Sequence, residues 1–155
     1  MLLKTQRTTA NARGRRFAIV ASKYNARYVN SMLKAARETL YRSGAVEVLV
    51  VRVPGAFEIP VVVAELAGRT ENKLSAIICL GVIIRGETTH AQHIAEAVTN
   101  ALVHLQIEYF VPVIHEVLLL ENAAQARARC LDAEHNRGLE AAVTAIEMAK
   151  VMGSL

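Results

Sequence analysis

Along the chain, short unbroken apolar runs alternate four times with stretches in which apolar residues recur every three or four positions. The first pattern marks buried strands and the second the buried face of helices. Strands are predicted over Phe17–Ser22, Val46–Val53, Ala76–Ile84 and Pro112–Leu120, and helices over Arg27–Ser43, Glu58–Ala67, His90–Gln106, Ala123–Asp132 and Leu139–Met152. The first helix turns Val29, Met32, Leu33, Ala36 and Leu40 inward; the second turns in Ile59, Val62, Val63 and Leu66; the third, Ile94, Ala97, Val98, Ala101, Leu102 and Leu105. Punctuation agrees with these limits. Gly44 suits a helix C-cap, Pro54-Gly55 a turn, and Pro60 only the first turn of a helix. Thr89 followed by Gln92 reads as a capping box, and Asn136-Arg137-Gly138 as a break before the last helix.

Strand–helix alternation of this kind implies an α/β fold: one domain, with a four-stranded parallel sheet covered by helices on both faces. In such open sheets ligands sit beyond the carboxyl ends of the strands. Three turn-rich polar segments fall there: Lys23-Tyr24-Asn25, Pro54-Gly55-Ala56-Phe57-Glu58, and Arg85–His90. Topology alone brings them together.

Composition sharpens this picture. The chain has 155 residues, is 53% hydrophobic and carries only 21% charged residues, which calls for both sheet faces to be covered and for apolar surface buried between subunits. No apolar run approaches the ~18 residues of a membrane helix. Cys79 and Cys130 lack motif spacing, so reduced thiols in a cytoplasmic, reducing compartment are expected. Much of the net charge of +4 lies in residues 1–16, which hold Lys4, Arg7, Arg13, Arg15 and Arg16 and no acid. A flexible, solvated basic arm fits this segment better than a targeting peptide or a nucleic-acid arm: it has no secretory apolar core and no interleaved aromatics.

The stretch richest in chemistry is CLGVIIRGETTHAQ, Cys79–Gln92. Gly86 permits close backbone approach to a ligand or a positive φ. Free N–H groups at a helix start, together with a Thr hydroxyl, make a seat for an anion. His90 follows directly and supplies a group that titrates near pH ~6.5, suited to proton transfer. His90 and His93 share a helix face but lack a third ligand, so no metal is assigned. Tyr24 can stack on a flat heterocycle, or serve as an edge-packing tyrosine. Phe57 can wall a pocket, and Glu58 can accept hydrogen bonds or simply favour a helix start. Arg127 and Arg129 stand two residues apart on a helix and point different ways, so one can reach an anion while the other stays solvated. His115 and Glu116 interrupt an apolar strand at adjacent positions; one of them faces inward or into an interface and needs a partner.

These motifs resemble the lumazine synthase family from about Phe17 to the end. The resemblance rests on Lys23-Tyr24-Asn25, VPGAFEIP, LGVIIRGETTH, Gln125-Ala126-Arg127-Ala128-Arg129 and Asn136-Arg137-Gly138. It implies a flavodoxin-like three-layer α/β/α sandwich and a cofactor-independent transferase of riboflavin biosynthesis. The implied reaction joins 5-amino-6-(D-ribitylamino)uracil to 3,4-dihydroxy-2-butanone 4-phosphate, giving 6,7-dimethyl-8-ribityllumazine. On the same resemblance, Tyr24 stacks on the pyrimidine, and Ala56, Phe57 and Glu58 line the pyrimidine and ribityl site. Val82, Ile83 and Ile84 offer backbone contacts, Glu87 and Thr88 bind phosphate, and His90 transfers protons. Arg129, lent by a neighbouring subunit, is the phosphate arginine. Active sites between subunits of a pentamer are implied, and the segment Cys130–His135 lacks the glycine-rich turn of many shell-forming members, which favours a pentamer or a pair of pentamers. Three departures stand out: His115 in place of an aromatic of the pyrimidine site, Glu116 in place of a Gly, and Arg137 in place of a Lys. The competing reading is a flavin- or lumazine-binding protein that has lost turnover. A generic flavodoxin-like nucleotide binder fits less well, because no GxGxxG occurs and the anion motif follows the third strand.

Overall fold

The computed structural model describes residues 10–155. In chain order the elements are β1 (Arg16–Ser22), α1 (Ala26–Arg42), β2 (Glu47–Val53), a 3₁₀ turn (Ala56–Glu58), α2 (Ile59–Ala67), β3 (Ala76–Ile84), α3 (His90–Tyr109), β4 (Val113–Leu120), α4 (Ala123–Cys130) and α5 (Arg137–Gly153). The four strands form one parallel sheet in the order β2-β1-β3-β4. Strand side chains alternate between its faces. Phe17, Ile19, Ile78 and Leu80 pack under α1, α4 and α5, while Ala18, Val20, Ile77 and Cys79 pack against α2 and α3. The α/β class, the parallel sheet and the helical layer on each face follow the alternation read from the sequence.

Strand order reverses between β1 and β3, since β1 is followed by β2 on one side and flanked by β3 on the other. Such a switch point opens a crevice at the carboxyl ends of the two strands. β3 is buried from Ala76 to Val82, as expected of a central strand in a covered parallel sheet.

Several local readings change. The segment Ala56–Glu58 is a 3₁₀ turn, and α2 starts only at Ile59, with Pro60 in its first turn. Helix α3 runs on to Tyr109, and Phe110 stops it in the left-handed region at φ 54°. Ala97, expected inward, is exposed; α3 buries Ala91, Val98 and Leu102 instead. Asn136-Arg137-Gly138 opens α5 rather than breaking the chain before it: the Asn136 side chain caps the helix by accepting from the Gly138 N–H at 2.8 Å. Gly138 sits so close to α1 that a Cβ there would lie 2.0 Å from the Met32 carbonyl oxygen.

Of the basic segment, residues 1–9 lie outside the described residues. Within the remainder, Ala12 is fully buried, its N–H donates to the Ser43 carbonyl at 2.8 Å, and Arg16 already belongs to β1. Cys79 and Cys130 are free and buried. Among the described residues no helix is long and apolar enough to cross a membrane.

Candidate functional site

The segments after β1 and β2 meet through the backbone. The N–H groups of Lys23 and Tyr24 both donate to the Pro54 carbonyl, at 3.1 and 3.2 Å. The Tyr24 ring then lies on Gly55, where a Cβ would come within 3.0 Å of it. Glycine at this position is what allows the aromatic to sit there. Gly55 also donates its N–H to the Glu58 carboxylate at 2.9 Å, so Glu58 closes its own turn and is tied down at one oxygen. Tyr24 and Phe57 remain largely exposed, at 71% and 62%. Two bare aromatic rings at the rim of a crevice are available for stacking or for a second chain.

The end of β3 joins this corner through Asn25, which the sequence reading named only within Lys23-Tyr24-Asn25 and gave no role of its own. Asn25 stands at the start of α1 in the left-handed region, φ 55°, and its side-chain amide donates to the Val82 carbonyl at 2.7 Å. Asparagine tolerates that backbone better than most residues, because its short polar side chain bonds locally. An Asn directly before a helical pattern was the available signal. Gly81, one residue earlier, faces Ser22, Val117 and Ala56, the last 3.6 Å from a Cβ built there. Ala56, Tyr24 and the Val82–Ile84 strand end are thus neighbours. One consequence is that the Val82 carbonyl already holds a partner.

Beyond β3 the chain leaves the sheet. Arg85 is anchored by its N–H to the Leu120 carbonyl at 2.8 Å and by an ion pair with Glu121 at 3.2 Å. Gly86, Glu87, Thr88, Thr89 and His90 are exposed. Gly86 does not use a positive φ, and nothing lies within 4 Å of a Cβ built on it; the space there is open. Thr89 is the N-cap of α3, but the expected capping box does not form, because the Thr89 side chain makes no cap hydrogen bond. Instead its hydroxyl lies 3.3 Å from His93 Nε2, Gln92 bonds Glu96, and the Thr88 hydroxyl accepts a long 3.4 Å bond from the His90 N–H. The N–H groups of Ala91 and Gln92 have no partner among the described residues. Unfilled donors at the positive end of a 20-residue helix suit an anion. Among the described residues no group of three or more His, Cys, Asp or Glu side chains is arranged to hold a metal ion.

Arg129 lies on the opposite layer, on α4, and no hydrogen bond or ion pair joins it to the Gly86–His90 bend among the described residues. Arg127 is exposed and Arg129 half-buried, in keeping with their two-residue step. Gln125 is structural: its N–H donates to the Asn122 cap and its side chain accepts from the Glu121 N–H.

At the two unusual strand positions, Glu116 faces inward and His115 sits half-buried on the other side. His115 Nδ1 accepts from the Val117 N–H at 3.1 Å, which places the ring proton on Nε2, and Nε2 donates to the Thr99 hydroxyl at 2.7 Å. Burial disfavours the charged imidazole and lowers its pKa, the same direction as an accepting Nδ1, and both nitrogens are engaged inside the chain. Glu116 is gripped by Arg137: Nε and one terminal nitrogen each donate to a carboxylate oxygen at 3.0 Å, and the other terminal nitrogen reaches Glu140 at 2.9 Å. Glu116 is thus the inward-facing one of the two, and Arg137 is the partner it needs.

A groove of about 590 Å³ also runs along α1 and β2, lined among others by Lys34, Arg37, Arg42 and Arg52. Its Arg52 is already spent on the Ala21 and Ser22 carbonyls and the Asn30 side chain, and the groove lacks the open helix start found after β3.

Comparison with known proteins bears on this geometry. A family model described as 6,7-dimethyl-8-ribityllumazine synthase matches residues 14–153. A protein of that description from Stenotrophomonas maltophilia is 41% identical over 142 residues, covering 90% of each chain. One from Clostridium kluyveri is 37% identical over 155 residues, covering 99% of each, and one from Xanthomonas oryzae pv. oryzae is 40% identical over 139 residues, covering 88% of this chain and 89% of its own.

Proposed function

Because the chain belongs to the 6,7-dimethyl-8-ribityllumazine synthase family, we propose that it is a transferase of riboflavin biosynthesis. It condenses 5-amino-6-(D-ribitylamino)uracil with 3,4-dihydroxy-2-butanone 4-phosphate, releasing 6,7-dimethyl-8-ribityllumazine, phosphate and water. The observation that carries the reading is the meeting of Tyr24, Gly55–Glu58 and the end of β3 beside a helix start with unfilled N–H donors.

In this reading Tyr24 stacks on the pyrimidine and Phe57 walls it. Glu58, held at one oxygen by Gly55, turns its remaining acceptor capacity to the ribityl hydroxyls. Ala56 and the backbone of Val82, Ile83 and Ile84 border the ring, with Ile83 and Ile84 offering groups that Asn25 does not occupy. His115, neutral and fixed by two hydrogen bonds, presents only its ring face. Glu87, Thr88 and the first N–H groups of α3 receive the phosphate. His90 moves protons: the pyrimidine amine adds to the ketone and water leaves as the imine forms, phosphate is expelled by elimination, and the second amine closes the ring with loss of another water. Each step needs a proton delivered or removed beside the same carbon skeleton. Most of the acceleration comes from holding two reactants in register, worth up to ~7–11 kcal/mol in well-oriented cases.

Arg129 lies on the other helical layer, which supports its being lent to the site of an adjacent protomer. A homo-oligomer, pentameric or a pair of pentamers, is the arrangement we favour. The exposed apolar side chains Phe57, Val61, Ile107 and Phe110 support apolar contact between copies. A cytoplasmic setting fits the two free, buried cysteines.

The test is an optical assay of lumazine formation by the purified protein, with three variants. His90→Ala is expected to slow turnover with the fold intact. Arg129→Ala should raise KM for the phosphorylated substrate about 10- to 100-fold, the worth of one charge-assisted hydrogen-bonded contact, and Arg127→Ala should change little. Lumazine binding with no turnover in the unaltered protein would reject the enzyme in favour of a carrier.

A further inference from the structure

Two polar side chains that no step of the proposed reaction uses close on the short segment carrying Tyr24. The first is Arg52, half-buried near the end of β2 and paired in register with Ala21 of β1. Its Nε donates to the Ala21 carbonyl at 3.2 Å, one terminal nitrogen to the Ser22 carbonyl at 3.0 Å and the other to the Asn30 side chain at 2.8 Å. Arg52 pairs with no carboxylate among the described residues. Its whole fork is laid on neutral acceptors, as charge-assisted bonds stronger than ordinary ones. The second is Asn25, in the left-handed region, whose amide donates to the Val82 carbonyl at 2.7 Å.

These contacts bracket Lys23-Tyr24. Arg52 fixes the two residues before the pair, while Asn25 and Asn30 tie the start of α1, just after it, to β3 and to Arg52. Between the brackets the Lys23 N–H donates to the Val53 carbonyl at 2.8 Å, the Tyr24 N–H donates to the Pro54 carbonyl, and the ring lies on Gly55. The ring itself is exposed, so packing around it contributes little to its placement. Its backbone has to do this instead.

We propose that Arg52 and Asn25 are positioning residues for the Tyr24 ring: they hold it over Gly55 before any ligand arrives, so that a flat heterocycle meets a wall already built. The inference rests on Tyr24 being the stacking residue. Preorganisation spares the ligand the cost of ordering the segment. Were the ring in place only about a tenth to a third of the time, apparent affinity would fall by that fraction, about three- to tenfold.

The experiment uses the assembled, full-length protein and measures the Kd of 6,7-dimethyl-8-ribityllumazine, the ring-bearing product, beside KM for each substrate. Arg52→Met keeps the apolar stem and removes the donors. Asn25→Gly keeps the left-handed backbone and removes the amide. Each should raise the lumazine Kd and KM for the pyrimidine substrate about three- to tenfold, with KM for the phosphorylated substrate within about twofold of the parent. Tyr24→Ala supplies the decisive comparison: with the ring gone, neither variant should weaken lumazine binding further. A merely structural role would lower unfolding midpoints and leave the lumazine Kd where it was, and that result overturns the proposal. So would an undiminished effect of Arg52→Met or Asn25→Gly in the Tyr24→Ala background. Asn25→Gly bears the test alone if Arg52→Met does not fold. Tyr24→Ala also keeps the two readings apart: unchanged lumazine binding in that variant removes Tyr24 from the site, whereas weakened binding there with Arg52→Met and Asn25→Gly both inert rejects only the present inference.

Discussion

Substituting Gly138 by Ala tests how tightly α5 is seated. A methyl at this position would lie 2.0 Å from the Met32 carbonyl oxygen, 2.5 Å from its carbon and 2.6 Å from its Cα. All three are backbone atoms of α1, so no side chain can swing away to make room. Relief requires α5 to retreat by more than ~1 Å, loosening the contact where Ala141, Ala142 and Ala145 are fully buried. Overpacking of this kind costs about 1–3 kcal/mol, and backbone contact puts it at the upper end. Alanine returns at most ~1 kcal/mol through better helix propensity. The net expectation is destabilisation by ~2 kcal/mol, a fall of roughly 4–8 °C in Tm for a chain of this size. Urea and thermal unfolding, read at matched protomer concentration because assembly adds to apparent stability, provide the measurement. An unchanged or raised midpoint would refute the reasoning. A retreat of α5 also carries Arg137 away from Glu116, so Glu116→Gln should cost less in the Gly138→Ala background than in the parent chain.

Three further outcomes are expected. The raised Glu116 pKa means that the folded state holds a proton the unfolded chain has released, so stability should fall as pH rises from about 4.5 to about 7 and level off above, by up to ~3 kcal/mol; denaturant midpoints across that range should decline less in Glu116→Gln. His115→Phe restores an aromatic but strands the Val117 N–H, and chemical denaturation should show a loss of about 1–3 kcal/mol. Asn25→Ala gives up the bond to the Val82 carbonyl and leaves alanine in the left-handed region; a loss of ~2 kcal/mol should appear in thermal melts, with a raised KM for the pyrimidine substrate.

The strands and helices were legible because each buries one face, and burial imposes a period that survives in the sequence. β3 matches its expected limits from Ala76 to Ile84, whereas α3 outran its pattern to Tyr109, where a left-handed Phe110 stops it without the usual glycine. The convergence of Tyr24, the Gly55–Glu58 turn and the end of β3 was legible from topology, since parallel strands place their carboxyl ends together. What ties the convergence down was not. Asn25 reaches Val82 across 57 positions, and Arg137 reaches Glu116 across 21; such pairings leave no period. The capping box at Thr89 matched in letters only, because hydroxyls there found His93 and the His90 N–H instead.

Asn136 draws three helices into one knot. Its buried side chain takes the Cys130 carbonyl at the end of α4 and the Ser31 hydroxyl on α1, and it caps α5 through Gly138. The arginine on α4 is therefore only as well placed as that knot allows. If Arg129 serves a neighbour, as proposed above, harm done at Asn136 would be suffered in another protomer's reaction, and the damaged protomer's own catalysis would be spared wherever an intact copy stands beside it. In the proposed ring, assembled from sound and faulty copies, the injury would travel one seat along.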